Sequence, residues 1–99
     1  MKEAGNIDNI IFRKEQTMLI LRNIEKDDFA IYADYYPEGQ NELFGFVGVH
    51  YETGVIIRRR IADKYESKEK PVYSNHAAEG LMGIIEYNEE IPPEIVVEW

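Results

Sequence analysis

Apolar and other residues alternate one by one through much of residues 28–61, a pattern typical of β-strands with one buried face. In DFAIYADYYPEG, residues 28–39, every second position is apolar: Phe29, Ile31, Ala33 and Tyr35. The runs LFGFVGVHY (residues 43–51) and VIIRRRI (residues 55–61) are rich in β-branched and aromatic residues. These three runs predict successive strands of an antiparallel meander.

Turn residues separate the predicted strands. Residues 36–39 (YPEG) have Pro second and Gly fourth, which predicts a type I turn. Residues 51–54 (YETG) predict another type I turn, with Gly54 closing a three-residue loop. That loop would place Val49 opposite Ile57 and Val47 opposite Arg59. One face of this hairpin is then predicted to be core: Val47, Val49, Tyr51, Val55, Ile57 and Ile61.

Residues 7–24 fit two structures. Some of their apolar residues follow a helical period, but Phe12, Leu19 and Ile20 fall off that face. Two strands, about residues 9–14 and 17–23 with a turn at Glu15 and Gln16, explain the compact apolar runs better. A long N-terminal helix is the alternative, and the pattern leaves both open.

The period changes to about 3.6 residues after Ser74, which predicts an amphipathic helix over about residues 75–88. Ser74 or Asn75 is the expected N-cap, and Glu79 and Glu86 lie opposite the apolar arc. Gly80 and Gly83 lie on one flank of the arc, where we interpret them as close contacts with the sheet. The arc consists of Ala77, Ala78, Leu81, Met82, Ile84 and Ile85.

The order of elements predicts the fold. Pro92 and Pro93 end the helical region, and the following EIVVEW predicts a last, short edge strand. We therefore expect one α+β domain over residues 1–99. It would be an antiparallel β-meander of four to six strands, with the helix of about 75–88 packed on one face as a second layer.

Composition limits the class of protein. Apolar residues are 44% of the chain and aromatic residues 12%, as in a globular β-rich protein. The chain has no cysteine, so disulfides and thiolate metal sites are excluded. Glu3 and Asp8 interrupt any signal-peptide core, and no aliphatic run approaches a membrane span. We expect a cytoplasmic protein that does not bind membranes.

Charge is distributed unevenly over a chain of net charge −8. Residues 58–70 carry six Lys or Arg against three Asp or Glu, a balance of +3 within acidic flanks. Strand alternation puts Arg58 and Arg60 on one face, and Arg59 on the core side, where it must reach the rim or a carboxylate. The predicted docking residues for an acidic or phosphate-bearing group are Phe44, Phe46, His50, Arg58, Arg60 and the turn-side Tyr36.

The same residues have a purely structural interpretation. Arg60 over Phe46 would form a cross-strand cation–π pair worth about 0.5–1 kcal/mol. Charged residues on a strand also prevent edge-to-edge aggregation.

Catalytic and metal-binding chemistry finds little support in the sequence. His76 and Glu79 have a chelating spacing on the helix, but His50 belongs to the sheet, so we expect no metal site. The hydroxyl residues lie in turns or at the cap, and no phosphate-binding loop occurs. Nucleic-acid binding is disfavoured by an isoelectric point of about 4.7. We therefore predict no catalytic residue and no cofactor.

Small acidic single-domain chains without catalytic groups are typical of inhibitors, immunity or antitoxin-like proteins, and adaptors. We expect a non-catalytic protein-binding domain that occupies a partner of basic or mixed surface charge. One alternative is a small-molecule or anion-binding domain, or minor enzyme, using the Arg58, Arg60 and His50 face and the helix start at residues 74–76. Another is a self-associating structural protein, such as a homodimer formed through an edge strand.

Overall fold

The computed structural model describes residues 17–87 and 90–99, which form a five-stranded antiparallel sheet with a helix against one face. The strand order is β4-β3-β2-β1-β5, so β4 and β5 are the edges. Within the described residues, no helix is long and apolar enough to cross a membrane. The predicted two-layer α+β meander is confirmed. Its elements are β1 (Met18–Lys26), β2 (Ala30–Pro37), β3 (Gly45–His50), β4 (Val55–Arg60), α1 (Val72–Tyr87) and β5 (Glu94–Glu98).

Residues 7–24 were predicted to form either two strands or a helix, and β1 shows that the part from Met18 onward is a strand. It pairs with β2 on one side and β5 on the other, so a helix is wrong for this part of the segment. The predicted partner strand at residues 9–14 and its turn lie outside the described residues. The ladder between β1 and β2 shifts register between Arg22 and Glu25, where Asn23 has a φ of 55°.

The core lies between α1 and one face of the sheet. Met82 and Ile85 border it, which confirms the predicted apolar arc. Phe29 precedes β2 and is 67% exposed, although it alternates with core residues in sequence. The buried side chains of the core include Leu19, Leu21, Ile31, Ala33, Tyr35, Val47 and Val49 from the sheet, and Ala77, Leu81 and Ile84 from the helix.

The two glycines of helix α1 differ in how closely other residues pack against them. A Cβ on Gly80 would lie 2.7 Å from Cγ2 of Val97, so this residue allows the close approach that the sequence predicted. A Cβ on Gly83 would meet no atom of the described chain within 4 Å, apart from its chain neighbours and the backbone of its own helix. Close packing therefore explains Gly80 but not Gly83.

A bulge in β4 overturns part of the predicted hairpin register. The far half is as predicted, with Val47 opposite Arg59. Near the turn, Val49 pairs with Ile56 because the loop has four residues, and the bulge at Ile57 absorbs the difference. Val55 and Ile57 are consequently 56% and 46% exposed instead of core, while Ile56 packs against the core.

The first turn also differs from the predicted type. The amide of Gly39 donates to the carbonyl of Tyr36 at 3.1 Å, with Pro37 at the second position as expected. Glu38 has a φ of 57°, which a type I turn excludes and a type II turn requires. Its carboxylate accepts a hydrogen bond from the hydroxyl of Tyr73 at 2.6 Å, which holds it in place.

Helix α1 begins at Val72, so the predicted N-cap at Ser74 or Asn75 is wrong. Ser74 is buried in the first turn, and its amide donates to Oε1 of Glu66 at 2.9 Å. Oε2 of Glu66 accepts the amide of Ala62 at 2.8 Å and the hydroxyl of Tyr35. The hydrogen-bond acceptor for this amide of the first helical turn is therefore a carboxylate in the preceding loop. The same carboxylate connects the loop to β2 through Tyr35.

Leu81→Ala should lower the free energy of unfolding by about 2–4 kcal/mol, because Leu81 is fully buried at the centre of the helix–sheet contact. Urea denaturation measures the change. Glu86→Ala is the control; its side chain is exposed, so stability should change by less than about 0.5 kcal/mol. Greater damage from the Glu86 change would contradict the described helix phase.

Candidate functional site

The sheet face opposite α1 carries a stack of two aromatic rings between two guanidinium groups. The rings of Tyr36 and Phe44 are stacked with centroids 4.8 Å apart and an interplanar angle of 26°. Arg22 lies 4.9 Å from the centre of the Tyr36 ring, and Arg60 lies 5.2 Å from the centre of the Phe44 ring. Each cation faces an aromatic π-system, an attractive arrangement.

A second ring pair adjoins this stack. Tyr32 and Phe46 are stacked with centroids 6.0 Å apart and an interplanar angle of 13°. Gly48 makes room for it, because a Cβ there would lie 2.4 Å from Cδ1 of Tyr32. Arg60 is opposite Phe46 in the ladder, yet its guanidinium covers Phe44, so the predicted Arg60–Phe46 cation–π pair is replaced.

Local structure fixes Phe44, which lies just before β3. The side chain of Gln40 closes the preceding loop: its Oε1 accepts the amides of Glu42 at 2.9 Å and Leu43 at 2.8 Å. Its Nε2 donates to the carbonyl of Leu43. These bonds order the loop that leads directly to Phe44 and β3.

Five of the six predicted docking residues come together on this face. Arg58 lies opposite Gly48, two residues along β4 from Arg60 and therefore on the same face. His50 shares the face but lies at the far end of β3, where its Nδ1 is 3.4 Å from Oγ1 of Thr53. We call the cluster the Arg–aromatic patch; it consists of Arg22, Tyr32, Tyr36, Phe44, Phe46, Arg58 and Arg60.

Two patch residues were missing from the sequence prediction. Tyr32 could have been found, because it has the same strand parity as Tyr36. Arg22 could not, because its place depends on β1 lying next to β2 in the sheet.

The patch arginines differ in their ion pairs. Arg22 binds Oε1 of Glu94 at 3.1 Å and Oδ1 of Asn41 at 2.7 Å. Within residues 17–87 and 90–99, no carboxylate lies within 4.0 Å of the guanidinium of Arg58 or Arg60. Both side chains are exposed. Their charge is therefore directed at solvent.

Arg59 occupies the other side of β4. Its Nη2 donates to Oδ1 of Asn75 at 3.3 Å, so it reaches the rim through an amide oxygen. Its side chain is exposed, so the charge of Arg59 is not buried in the core.

A groove of about 580 Å³ adjoins the patch where β4 ends and β3 begins. Apolar side chains and charged side chains of both signs line it. Its lining consists of Leu43, Phe44, Ile61 and Ala62, with Glu42, Arg59, Arg60, Asp63 and Lys68 around them. Its volume is in the range of small-ligand and side-chain pockets.

The histidines lie in different surroundings. The ring of His76 stacks on Trp99 at 4.0 Å, and its Nδ1 lies 3.0 Å from Oε1 of Glu79. Across the described ranges, no three His, Cys, Asp or Glu side chains form a cluster able to hold a metal. The amide of Ser74 is already bound by Glu66, so that donor is not available to an external anion.

Tyr35→Phe should reduce the loss of stability at alkaline pH. Burial, and then the Glu66 carboxylate, raise the pKa of the Tyr35 phenol above its ordinary value of 10.0. The unfolded chain ionises first, so this contribution is complete below pH 10.0 and is lost as the pH rises further. Urea denaturation at a series of pH values from neutral upward measures the difference.

Tyr87→Phe is the matched control for loss of one phenol, because that ring is 81% exposed. It should keep the steep alkaline decline of the parent. Equal declines in the Tyr35 variant and the parent would show that the phenol–carboxylate bond does not control this dependence.

Comparison of the chain with protein-family models, curated proteins and solved structures found no match.

Proposed function

We propose that this chain is a non-catalytic protein-binding domain that occupies a partner's surface through the Arg–aromatic patch. The observation that carries the proposal is the stack of Arg22, Tyr36, Phe44 and Arg60 on the sheet face opposite the helix. Inhibitors, immunity or antitoxin-like proteins and adaptors act in this way. The absence of cysteine fits action in the reducing cytoplasm.

The composition of the patch supports this role. Aromatic residues and arginine are enriched among the residues that dominate binding energy in protein interfaces. Here Tyr36 and Phe44 hold each other by stacking, and Tyr32 and Phe46 do the same. Side chains already ordered in this way lose little conformational freedom on binding.

Charge supports a partner of mixed surface charge. Arg58 and Arg60 present exposed guanidinium groups, which suit a carboxylate or phosphate on the partner. The chain as a whole has a net charge of −8, which attracts basic regions around that acidic contact. The same net charge disfavours nucleic acid as the partner.

Arg58→Glu combined with Arg60→Glu should abolish binding of the native partner while leaving the domain folded. The exposed arginines contribute at most about 1 kcal/mol each to stability, so the melting temperature should fall only slightly. Affinity capture from the native cell extract, followed by quantitative mass spectrometry, identifies proteins retained by the parent. Raising the salt concentration should weaken their capture.

The matched control is Lys64→Glu combined with Lys70→Glu, which makes the same charge change at exposed loop positions outside the patch. It should retain the partner. If the arginine variant is folded and still retains every protein that the parent captures, the patch is not the binding surface.

A further inference from the structure

Phe29 is a large apolar side chain that projects from an acidic turn. It is 67% exposed and follows Asp27 and Asp28 in the connection between β1 and β2. The carboxylate of Asp27 accepts the amides of Phe29 and Ala30 at 2.8 Å each, which fixes the turn. These bonds lower the pKa of Asp27 because they stabilise its ionised form. The turn is thus an ordered apolar projection beside fixed negative charge.

The groove is a matching receptor for such a projection. Its apolar lining includes Leu43 and Ile61, and its volume of about 580 Å³ exceeds that of one phenyl ring. Arg59, Arg60 and Lys68 also line it, together with the carboxylates of Glu42 and Asp63. The charged residues of the lining therefore carry one excess positive charge.

The projection and the groove lie at opposite ends of the sheet. Ala30, next to Phe29, pairs with His50 at the end of β3. The groove lies at the start of β3, where Leu43 and Phe44 enter and β4 ends. Six residues of β3 separate the ends by about 20 Å, so Phe29 cannot fill the groove of its own chain.

We propose that the acidic Phe29 turn of one molecule inserts into the groove of a second copy, giving head-to-tail self-association. The contact pairs two different surfaces of the chain, so it does not close into a symmetric dimer and each complex can add another molecule. A contact centred on one aromatic ring should be weak, so we expect association to grow with protein concentration. This property does not depend on the proposed partner binding.

Both surfaces are ordered before association, which lowers its entropic cost. One groove wall is held by the Gln40 bonds to the loop before β3. The other is held by Glu66, whose carboxylate binds the amide of Ala62. The projection is held by Asp27.

Sedimentation velocity over concentrations up to the millimolar range tests the proposal. The average mass of the parent should rise past that of a dimer as the concentration increases, at a moderate salt concentration that screens the repulsion between chains of net charge −8. Phe29→Ser should weaken association at least about 10-fold, because one phenyl ring is no longer buried. Tyr87→Ser, which removes another exposed ring, should associate like the parent.

Leu43→Glu should also abolish association by placing a charge in the groove. Val72→Glu is its control, because the two side chains are 42% and 43% exposed and Val72 lies outside the groove. Circular dichroism verifies that each variant is folded.

A mixture of the two inactive variants gives the sharpest test. Phe29→Ser keeps the groove and Leu43→Glu keeps the projection, so mixing them should produce a one-to-one complex that grows no further. A parent that stays monomeric, stops at a dimer, or associates equally well without Phe29 would overturn the proposal. Failure of the mixture to form a complex would also overturn it.

Discussion

The carboxylate of Glu66 joins three parts of the fold that are separated in the sequence. It accepts the amide of Ala62 after β4, the amide of Ser74 in the first turn of α1, and the hydroxyl of Tyr35 in β2. Hydrogen bonds to a charged acceptor are worth about 1.5–3 kcal/mol each, more than those between neutral groups. Their loss would leave buried donors unsatisfied, so this carboxylate determines where the helix starts on the sheet.

The same interaction sets the geometry of the candidate site. The ring of Tyr35 crosses Gly45, where a Cβ would lie 2.2 Å from Cζ of the ring and 2.6 Å from the carbonyl oxygen of Arg60. The start of β3 and the end of β4 are therefore held at a spacing that a larger residue would not permit. Phe44 directly precedes Gly45, so the backbone beneath its cation–π contact with Arg60 is packed against Tyr35 from the opposite face of the sheet.

The sequence was sufficient where the controlling interactions are local. Alternation identified β2 and β3, and the 3.6-residue period identified α1 with its buried Leu81. Prediction from the sequence failed where residues outside an element determine its bounds or register. The helix begins earlier than predicted because Glu66, eight residues before Ser74, satisfies its amide. The exposed Ile57 follows from a bulge, and a bulge changes the register without changing the apolar pattern.

Both faces of the sheet carry aromatic residues, although one face is covered by the helix and the other is open to solvent. The ring of Tyr35 on the covered face is fully buried, whereas those of Tyr36 and Phe44 on the other face remain partly exposed. An exposed aromatic patch invites non-specific association. Here a guanidinium group covers each outer ring surface, and three consecutive arginines with a bulge make the β4 edge a poor template for strand pairing. The arginines thus limit indiscriminate contact while leaving a charged, directional surface that a complementary partner can use, because a carboxylate can bind a guanidinium group that remains stacked on a ring.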